Sequence, residues 1–146
     1  MGRDMRVVPF RRWHYDWLVQ ANPTADGGSF VAVDGVLAHL ETQNSWTGVV
    51  DGEPIACAGF QECWEGRAIA WAILGETAGR HMRSLTRAVR GALERHPAER
   101  IEAQALVGFA PAMRWARLLG FVPEGVLRKF HHGRDYQAYV FLKDSV

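Results

Sequence analysis

The sequence predicts an α/β fold: a mixed, mostly antiparallel sheet of seven strands, with a central parallel pair and helices on both faces. Three observations predict it. Ala68–Leu74 is an unbroken apolar run, typical of a central strand covered on both sides. An amphipathic helix and then a second strand, 100–107, follow it, which makes a β-α-β unit with parallel strands. Hairpin signals on either side of this unit predict antiparallel neighbours.

The predicted order of elements is β-α-α-β-β-β-α-β-α-β-β, in one domain over residues 1–146. Trp13, Trp17 and Leu18 are predicted to share one side of the first helix. Asp51-Gly52 is a strong two-residue hairpin turn. The strands are predicted at 6–10, 46–50, 55–64, 68–74, 100–107, 126–130 and 136–142, and the helices at 11–19, 30–41, 80–94 and 111–119.

Composition restricts the class of protein. The net charge of +1 argues against a nucleic-acid or membrane binder, which usually has a marked basic excess. No apolar run reaches the ~18 residues of a membrane span, and no signal peptide is visible at the N-terminus, so we expect a cytoplasmic protein. Cys57 and Cys63 are then expected to be reduced thiols. No Cys/His group has zinc spacing, so no metal is predicted.

The stretch from Ala68 to Glu94 has the pattern of an anion site. A strand feeds a glycine turn and then a helix, whose first N–H groups lack intrahelical partners. Arg80, His81 and Arg83 are predicted in the first turn of this helix, where acidic side chains would suit the helix dipole better. A polyanion that docks there would explain them. The alternative is that arginine is simply a good helix former on a solvated face.

Three motifs resemble those of one family. The helix at 112–121 ends in Leu-Gly-Phe, the segment 122–126 resembles a return strand, and Gly48–Gly59 resembles a hairpin that leads into a cofactor-binding strand. Together they resemble the GNAT (Gcn5-related) N-acetyltransferase superfamily over roughly Trp46 to Leu142, and in particular its small, divergent members encoded by bacteriophages.

The resemblance implies a binding site for acetyl-CoA. In the family, two central parallel strands separate, and the pantetheine arm pairs with the first of them. The pyrophosphate lies on the turn and helix start that follow. The family motif Gln/Arg-x-x-Gly-x-Gly/Ala is matched here only by Gly79, and His81 replaces its last small residue. The implied cofactor-binding residues are Trp71, Ala72, Ile73, Leu74, Gly79, Arg80, His81, Met82, Arg83, Ser84 and Phe109; Phe109 stands where the family has Asn.

The catalytic residues are less well matched. Many family members protonate the leaving thiolate with a Tyr four residues before the Leu-Gly-Phe glycine, and here that position is Ala116. Tyr136 and Tyr139, on the last strand, are the candidate substitutes, of which Tyr139 is the predicted one; the alternative is that both are core or surface residues. Glu76 and Glu102 are the predicted bases. Their alternative roles are a helix N-terminal acid for Glu76 and a solvated strand residue for Glu102.

The predicted function is transfer of an acetyl group from acetyl-CoA directly to an amine, of a small molecule or of a protein lysine or N-terminus. The alternative is a GNAT-fold module that has lost catalysis and binds or inhibits a target, as a bacteriophage protein would a host protein. A nucleic-acid binder that uses Arg80, Arg83, Arg87 and Arg90 is disfavoured by the near-neutral charge. The expected partner is an amine acceptor, with neither nucleic acid nor membrane, for a monomer or homodimer. Acceptor specificity is expected in the loops 22–29 and 131–135.

Overall fold

The computed structural model describes residues 4–21 and 38–143. Its element order agrees with the predicted order wherever the two can be compared. The strands are β1 (Arg6–Pro9), β2 (Ser45–Val50), β3 (Glu53–Trp64), β4 (Arg67–Leu74), β5 (Arg100–Leu106), β6 (Val122–His131) and β7 (Arg134–Leu142). The helices are α1 (Arg12–Ala21), a 3₁₀ helix (Glu76–His81), α2 (Met82–Arg95) and α3 (Ala110–Leu119), and residues 38–40 are also helical.

All seven strands belong to one sheet, in the order β1-β2-β3-β4-β5-β7-β6. The pair β4–β5 is parallel, whereas β1–β2, β2–β3, β5–β7 and β6–β7 are antiparallel. The parallel pair lies in the middle of the order, and β1, which contains Pro9, lies at an edge. The predicted fold class is therefore confirmed.

Two hairpins close through two-residue turns with left-handed backbone. In the β2–β3 hairpin, φ is 53° at Asp51 and 79° at Gly52, as the sequence predicts. In the β6–β7 hairpin, φ is 52° at His132 and 71° at Gly133. The predicted five-residue turn at 131–135 is too long, because His131 and Arg134 already pair across the two strands. Strand β6 also begins earlier than predicted, at Val122.

The chain divides into two compact units, and β3, β4 and α2 each contribute to both. The first unit comprises Met1–Gln61 and Trp71–Ala88, and the second comprises Glu62–Ala70 and Val89–Val146. Whether the chain is a single domain, as predicted from its length, stays a prediction.

In the first unit, helices cover both faces of the end of β4. Trp71 and Ile73 are buried with Tyr15 and Leu18 of α1, and the ring of Phe10 meets that of Trp71 edge-on at 5.3 Å. Leu74, three residues after Trp71 and so on the opposite face, packs against a second cluster of buried residues: Val50, Ile55, Ala56, Ala78 and Leu85.

The predicted orientation of α1 is wrong for two residues. Trp13 and Trp17 are 54% and 43% exposed, whereas His14, Tyr15 and Leu18 are buried. The reason is a polar contact of His14, which the helical spacing of apolar residues does not indicate. His14 is drawn inside because its Nδ1 lies 2.8 Å from the hydroxyl of the buried Thr47 and accepts the Arg11 N–H at 3.0 Å. Burying this satisfied side chain leaves the two indoles outside.

In the second unit, α3 packs next to β5. In the sheet, β7 is the neighbour of β5, and β6 is the neighbour of β7. The helix ends at Gly120, whose left-handed φ of 105° suits a residue without a Cβ, and whose N–H donates to the Arg117 carbonyl. Phe121 then packs edge-on against Phe141, with ring centroids 5.7 Å apart. The start and end of this helix are close to those predicted from Pro111 and Gly120.

Two predicted features, the loop at 22–29 and most of the second helix at 30–41, lie outside the described residues. No helix in the described part of the chain has the length and hydropathy of a membrane span. Across residues 4–21 and 38–143, no three His, Cys, Asp or Glu side chains are grouped so that they could hold a metal ion.

Candidate functional site

The C-terminal half of β4 begins the candidate site. The parallel register of β4 with β5 covers Arg67–Ile69, whereas β4 itself continues to Leu74. Trp71 and Ile73 are buried, and Ala72 and Leu74 are half-buried. Trp71, Ile73 and Leu74 of this segment thus pack into the two apolar clusters of the first unit.

Gly75 makes the turn out of β4 possible. Its N–H donates to the Ile55 carbonyl at 2.8 Å. A Cβ on this residue would lie 2.6 Å from Leu18 Cδ2 and 2.9 Å from that carbonyl oxygen, distances that real Cβ atoms essentially never show. Sequence reasoning missed this role and singled out Gly79 instead. The available signal was a glycine immediately after a buried strand.

The segment after Gly75 is a 3₁₀ helix, so the predicted helix start at Arg80 is wrong. The α-helix begins at Met82, and Arg80 and His81 lie in the last turn of the 3₁₀ helix. The physical reason is the absence of a side-chain cap at Gly75; the Ala78 N–H instead bonds the Gly75 carbonyl at 3.1 Å in a tighter turn. Of the predicted cluster, only Arg83 belongs to the first turn of α2.

The surface of this turn is open and positively charged. Gly79, Arg80, Arg83 and Ser84 are exposed, and nothing lies within 4 Å of where a Gly79 Cβ would be. Met82 is partly buried against the second apolar cluster and anchors the turn. Neither Arg80 nor Arg83 has an ion pair or side-chain hydrogen bond within the described residues. Two guanidinium groups, unpaired within the described residues, therefore follow closely after an accessible glycine backbone.

Glu76 and Glu102, the predicted bases, lie in different environments. Glu76 is exposed in the first turn of the 3₁₀ helix, where a carboxylate is favoured by the helix dipole. Glu102 accepts two hydrogen bonds from Arg67, at 2.5 and 2.8 Å, and one from Arg100 at 2.8 Å. These bonds, those from Arg67 most, hold the pKa of Glu102 at about 2, against the opposing effect of burial. A carboxyl group with that pKa is too weak a base for a catalytic role near neutral pH.

The pair of Arg100 with Glu124 extends this charged group within the second unit. It lowers the pKa of Glu124. Trp64, which is exposed, lies beneath the Arg67 guanidinium, 4.5 Å from ring centroid to carbon. The surroundings of Glu102 are thus those of a structural ion-pair network across β4, β5 and β6.

Tyr139 lies in the core of the second unit. Its side chain is 1% exposed, and it is opposite Ala103 in the register of β5 with β7. Its hydroxyl group has no hydrogen-bond partner among the described residues. A buried hydroxyl without a partner costs free energy, so this atom is an unusual feature of the core. Phe109, by contrast, is 48% exposed and precedes the first turn of α3.

Sequence reasoning missed two clusters of side chains that contain buried polar residues. Thr47 and Cys57 lie opposite each other in the β2–β3 register, with Oγ1 3.4 Å from Sγ, and His14 extends this row. Burial raises the pKa of Cys57 to about 12, so its thiol is unreactive. His96, also buried, bonds Glu62 at 2.8 Å and accepts the Ala98 N–H. The hairpin register could have paired Thr47 with Cys57, but no local signal brings His14 to them.

By sequence, no protein-family model and no curated protein matches the chain. By structure, Ard1 from Thermoplasma volcanium superposes with a TM-score of 0.78 at 11% identity, over 97% of this chain and 99% of that one. A GNAT-family acetyltransferase from Bacillus anthracis gives a TM-score of 0.67 at 12% identity, over 97% and 96%. This chain has the fold of the GNAT acetyltransferases. The fold implied by the resemblance of the Leu-Gly-Phe helix and the Asp51-Gly52 hairpin is therefore confirmed.

A third GNAT-fold neighbour is an acetyltransferase from Salmonella typhimurium that modifies the N-terminal serine of ribosomal protein L7/L12. It superposes with a TM-score of 0.69 at 14% identity, over 96% of this chain and 95% of that one. At identities this low, the superpositions show the GNAT fold, and the activity must be argued from the residues of the chain itself.

Proposed function

We propose that this protein is an N-acetyltransferase that transfers an acetyl group directly from acetyl-CoA to an amine. One observation supports the proposal most: the GNAT fold here ends its central strand in an open turn with two arginines that have no partner in the described part of the chain. A polyanionic cofactor fits such a turn, whereas the near-neutral charge of the chain gives no other reason for the cluster.

The residues of the first unit fit coenzyme A. Trp71, Ile73 and Leu74 pack into apolar clusters on the two faces of the sheet, which positions the backbone of this strand for an added pantetheine strand. Gly79 leaves its backbone accessible, and Arg80 and Arg83 supply guanidinium groups for the pyrophosphate. His81, Met82 and Ser84 complete the proposed set. Acetyl-CoA supplies the acetyl group in activated form, as a thioester.

The proton chemistry is assigned to fewer residues than the sequence predicted. Glu102 is removed, because two arginines hold it as a carboxylate of very low basicity. Glu76 stays a prediction, as an exposed carboxylate in the same segment as Gly79. Tyr139 also stays a prediction: its unpartnered hydroxyl can donate a proton to a leaving group that reaches it. Phe109 and the cytoplasmic location likewise stay predictions.

The proposed acceptor is a primary amine. The Salmonella neighbour modifies a protein N-terminus, which makes N-terminal serine peptides a natural first class to test alongside lysine peptides and small amines. A free amine needs only to lose a proton and to be positioned next to the thioester, so positioning would supply most of the catalysis.

Calorimetric titration with acetyl-CoA tests the cofactor site. We expect the wild type to bind, and the double variant Arg80→Glu/Arg83→Glu to bind at least about tenfold more weakly, because two charge-assisted contacts become repulsive. Arg95→Glu, an exposed charge reversal at the far end of α2, is the matched control and should leave the affinity unchanged. Absence of binding by the folded wild type would refute the proposal.

Release of free thiol from acetyl-CoA, measured across the panel of amines, tests transfer itself. Amine-dependent release confirms an acetyltransferase and identifies its acceptor class. Tight binding of acetyl-CoA without release from any amine would instead support the alternative, a GNAT-fold module without catalysis. Ala116, at the position of the family tyrosine, is the residue that favours this alternative.

A further inference from the structure

A row of arginines extends beyond the proposed pyrophosphate site. Arg80, Arg83 and Arg87 are all exposed and are spaced by three and then four residues, the spacing that places side chains on one face of a helix. Leu85, between them in sequence, is buried on the opposite side. Arg87 lies about 6 Å further along the axis of α2 than Arg83, at 1.5 Å per residue.

No described residue balances these charges. The three guanidinium groups have no ion pair or side-chain hydrogen bond within residues 4–21 and 38–143. Arg83 and Arg87, as like charges four residues apart, destabilise the helix by about 0.2–0.5 kcal/mol. Arg83 also opposes the helix dipole in the first turn. Folding alone does not favour this arrangement, so a bound anion is the better explanation for it.

The row is longer than a pyrophosphate requires. A pyrophosphate diester carries two negative charges, which Arg80 and Arg83 match, and Arg87 is then left without a partner among the residues that the structure describes. Coenzyme A carries a third phosphate group, on the 3′ oxygen of its ribose, one sugar ring away from the pyrophosphate. A phosphate monoester has a charge of about −1.5 to −2 at pH 7, and a guanidinium group binds it with two parallel hydrogen bonds.

We propose that Arg87 binds the 3′-phosphate of coenzyme A and makes this protein selective for coenzyme A over 3′-dephospho-coenzyme A. The inference rests on the proposed function, because it names the residue that would recognise one group of the proposed cofactor. Arg87 is a binding and specificity residue and takes no part in the transfer of the acetyl group.

The experiment removes the Arg87 side chain and the 3′-phosphate of the ligand, separately and together, as in a double-mutant cycle. Dissociation constants for coenzyme A and 3′-dephospho-coenzyme A are measured by calorimetry at fixed ionic strength, for the wild type and for Arg87→Ala. We expect the wild type to prefer coenzyme A by about tenfold or more, the usual effect of a charge-assisted hydrogen-bonded pair. Arg87→Ala should lose most of this preference by weakening the binding of coenzyme A, with the affinity for the dephospho form unchanged.

Two further variants complete the design. Arg95→Ala removes an exposed arginine from the same helix, about 18 Å from Arg83 along the axis, and should leave both affinities unchanged. Arg87→Lys keeps the charge but loses the paired geometry, so its preference should be intermediate. Because Arg87 is exposed, its variants should fold, which circular dichroism and the melting temperature verify.

The outcomes separate the two proposals. If the wild type binds neither ligand, the proposed function itself fails. If the wild type binds both ligands equally, or if Arg87→Ala weakens both equally, the 3′-phosphate assignment is overturned while the proposed function stands. If Arg95→Ala also loses the preference for coenzyme A, the 3′-phosphate assignment is likewise overturned, since the loss would then follow from the overall charge of the protein.

Discussion

Replacing Glu102 by Gln removes the negative charge at the centre of the ion-pair network without changing the size of the side chain. Glu102 is 15% exposed and accepts three hydrogen bonds, from Arg67 and Arg100, at 2.5 to 2.8 Å. A pKa held at about 2, against 4.5 for a free glutamate, corresponds to about 3 kcal/mol of stabilisation of the charged form in the folded state.

We expect Glu102→Gln to lower the free energy of unfolding by about 2 kcal/mol at pH 7, less than the full value because Gln keeps one acceptor oxygen and the arginines are partly solvated. The sign of the pH dependence follows from the lowered pKa. The stabilisation is fully present above about pH 4.5, where glutamate is ionised in the unfolded chain too, and it is lost as the pH falls towards 2.

Urea denaturation of both proteins at pH 7 and at pH 3 measures this difference. Glu65→Gln, an exposed glutamate in the turn between β3 and β4, is the control and should change stability by less than about 0.5 kcal/mol. The reasoning is refuted if Glu102→Gln behaves like this control at pH 7, or if its effect is as large at pH 3 as at pH 7.

Three other predictions concern the turn, the core of the first unit and the chemistry. Gly75→Ala should lower the free energy of unfolding by about 2 kcal/mol or more, because its methyl group would overlap the Ile55 carbonyl oxygen, whereas Gly79→Ala should be nearly neutral in the same urea titration. Burial, more than any other cause, lowers the pKa of His14 below 6.5, so the unfolded chain binds the proton more readily than the folded protein does. The free energy of unfolding should therefore fall as the pH drops below about 6.5. His14→Gln should flatten this part of the plot of stability against pH. Tyr139→Phe should reduce kcat by about tenfold to a hundredfold with little change in the KM for acetyl-CoA, measured by thiol release.

Each of these has a contrary result. Equal melting temperatures for Gly75→Ala and the wild type would mean that the turn relaxes without cost. A pH profile of stability that is the same with and without His14 would exclude it as the titrating group. A Tyr139→Phe variant with unchanged kcat would place that tyrosine among the core residues, as the alternative interpretation of the sequence has it.

Local signals made much of the fold predictable. The Asp51-Gly52 turn was predicted correctly because its conformation depends on two adjacent residues. The two ends of α3 were also predicted, because Pro111 and Gly120 lie next to them in the sequence. The start of α2 was predicted wrongly. The same amino acids can form a 3₁₀ turn or an α-helical turn, and the two turns differ only in which carbonyl accepts each hydrogen bond.

Non-local contacts explain the remaining errors. Glu102 resembled a base because its partner Arg67 is 35 residues away, and only the parallel register places the two together. His14 and Thr47 are 33 residues apart, and their contact turns α1 so that Trp13 is exposed. The charge and hydrophobicity of residues along the chain do not indicate that these pairs of side chains are in contact. The arginines of the proposed cofactor site were predictable as exposed residues, but only the structure shows that they have no partner among residues 4–21 and 38–143.

The short parallel register of β4 with β5 has a consequence for the order of folding. The β2–β3 and β6–β7 hairpins can form within about 1–10 μs, since the strands of each are adjacent in the chain. Arg67–Ile69 can pair with β5 only after the 25-residue crossover at 75–99 has brought the strands together. We therefore expect the amides of these three rows to gain protection from hydrogen exchange after those of the β2–β3 hairpin, so that the parallel pair at the centre of the sheet forms later than a hairpin close to it.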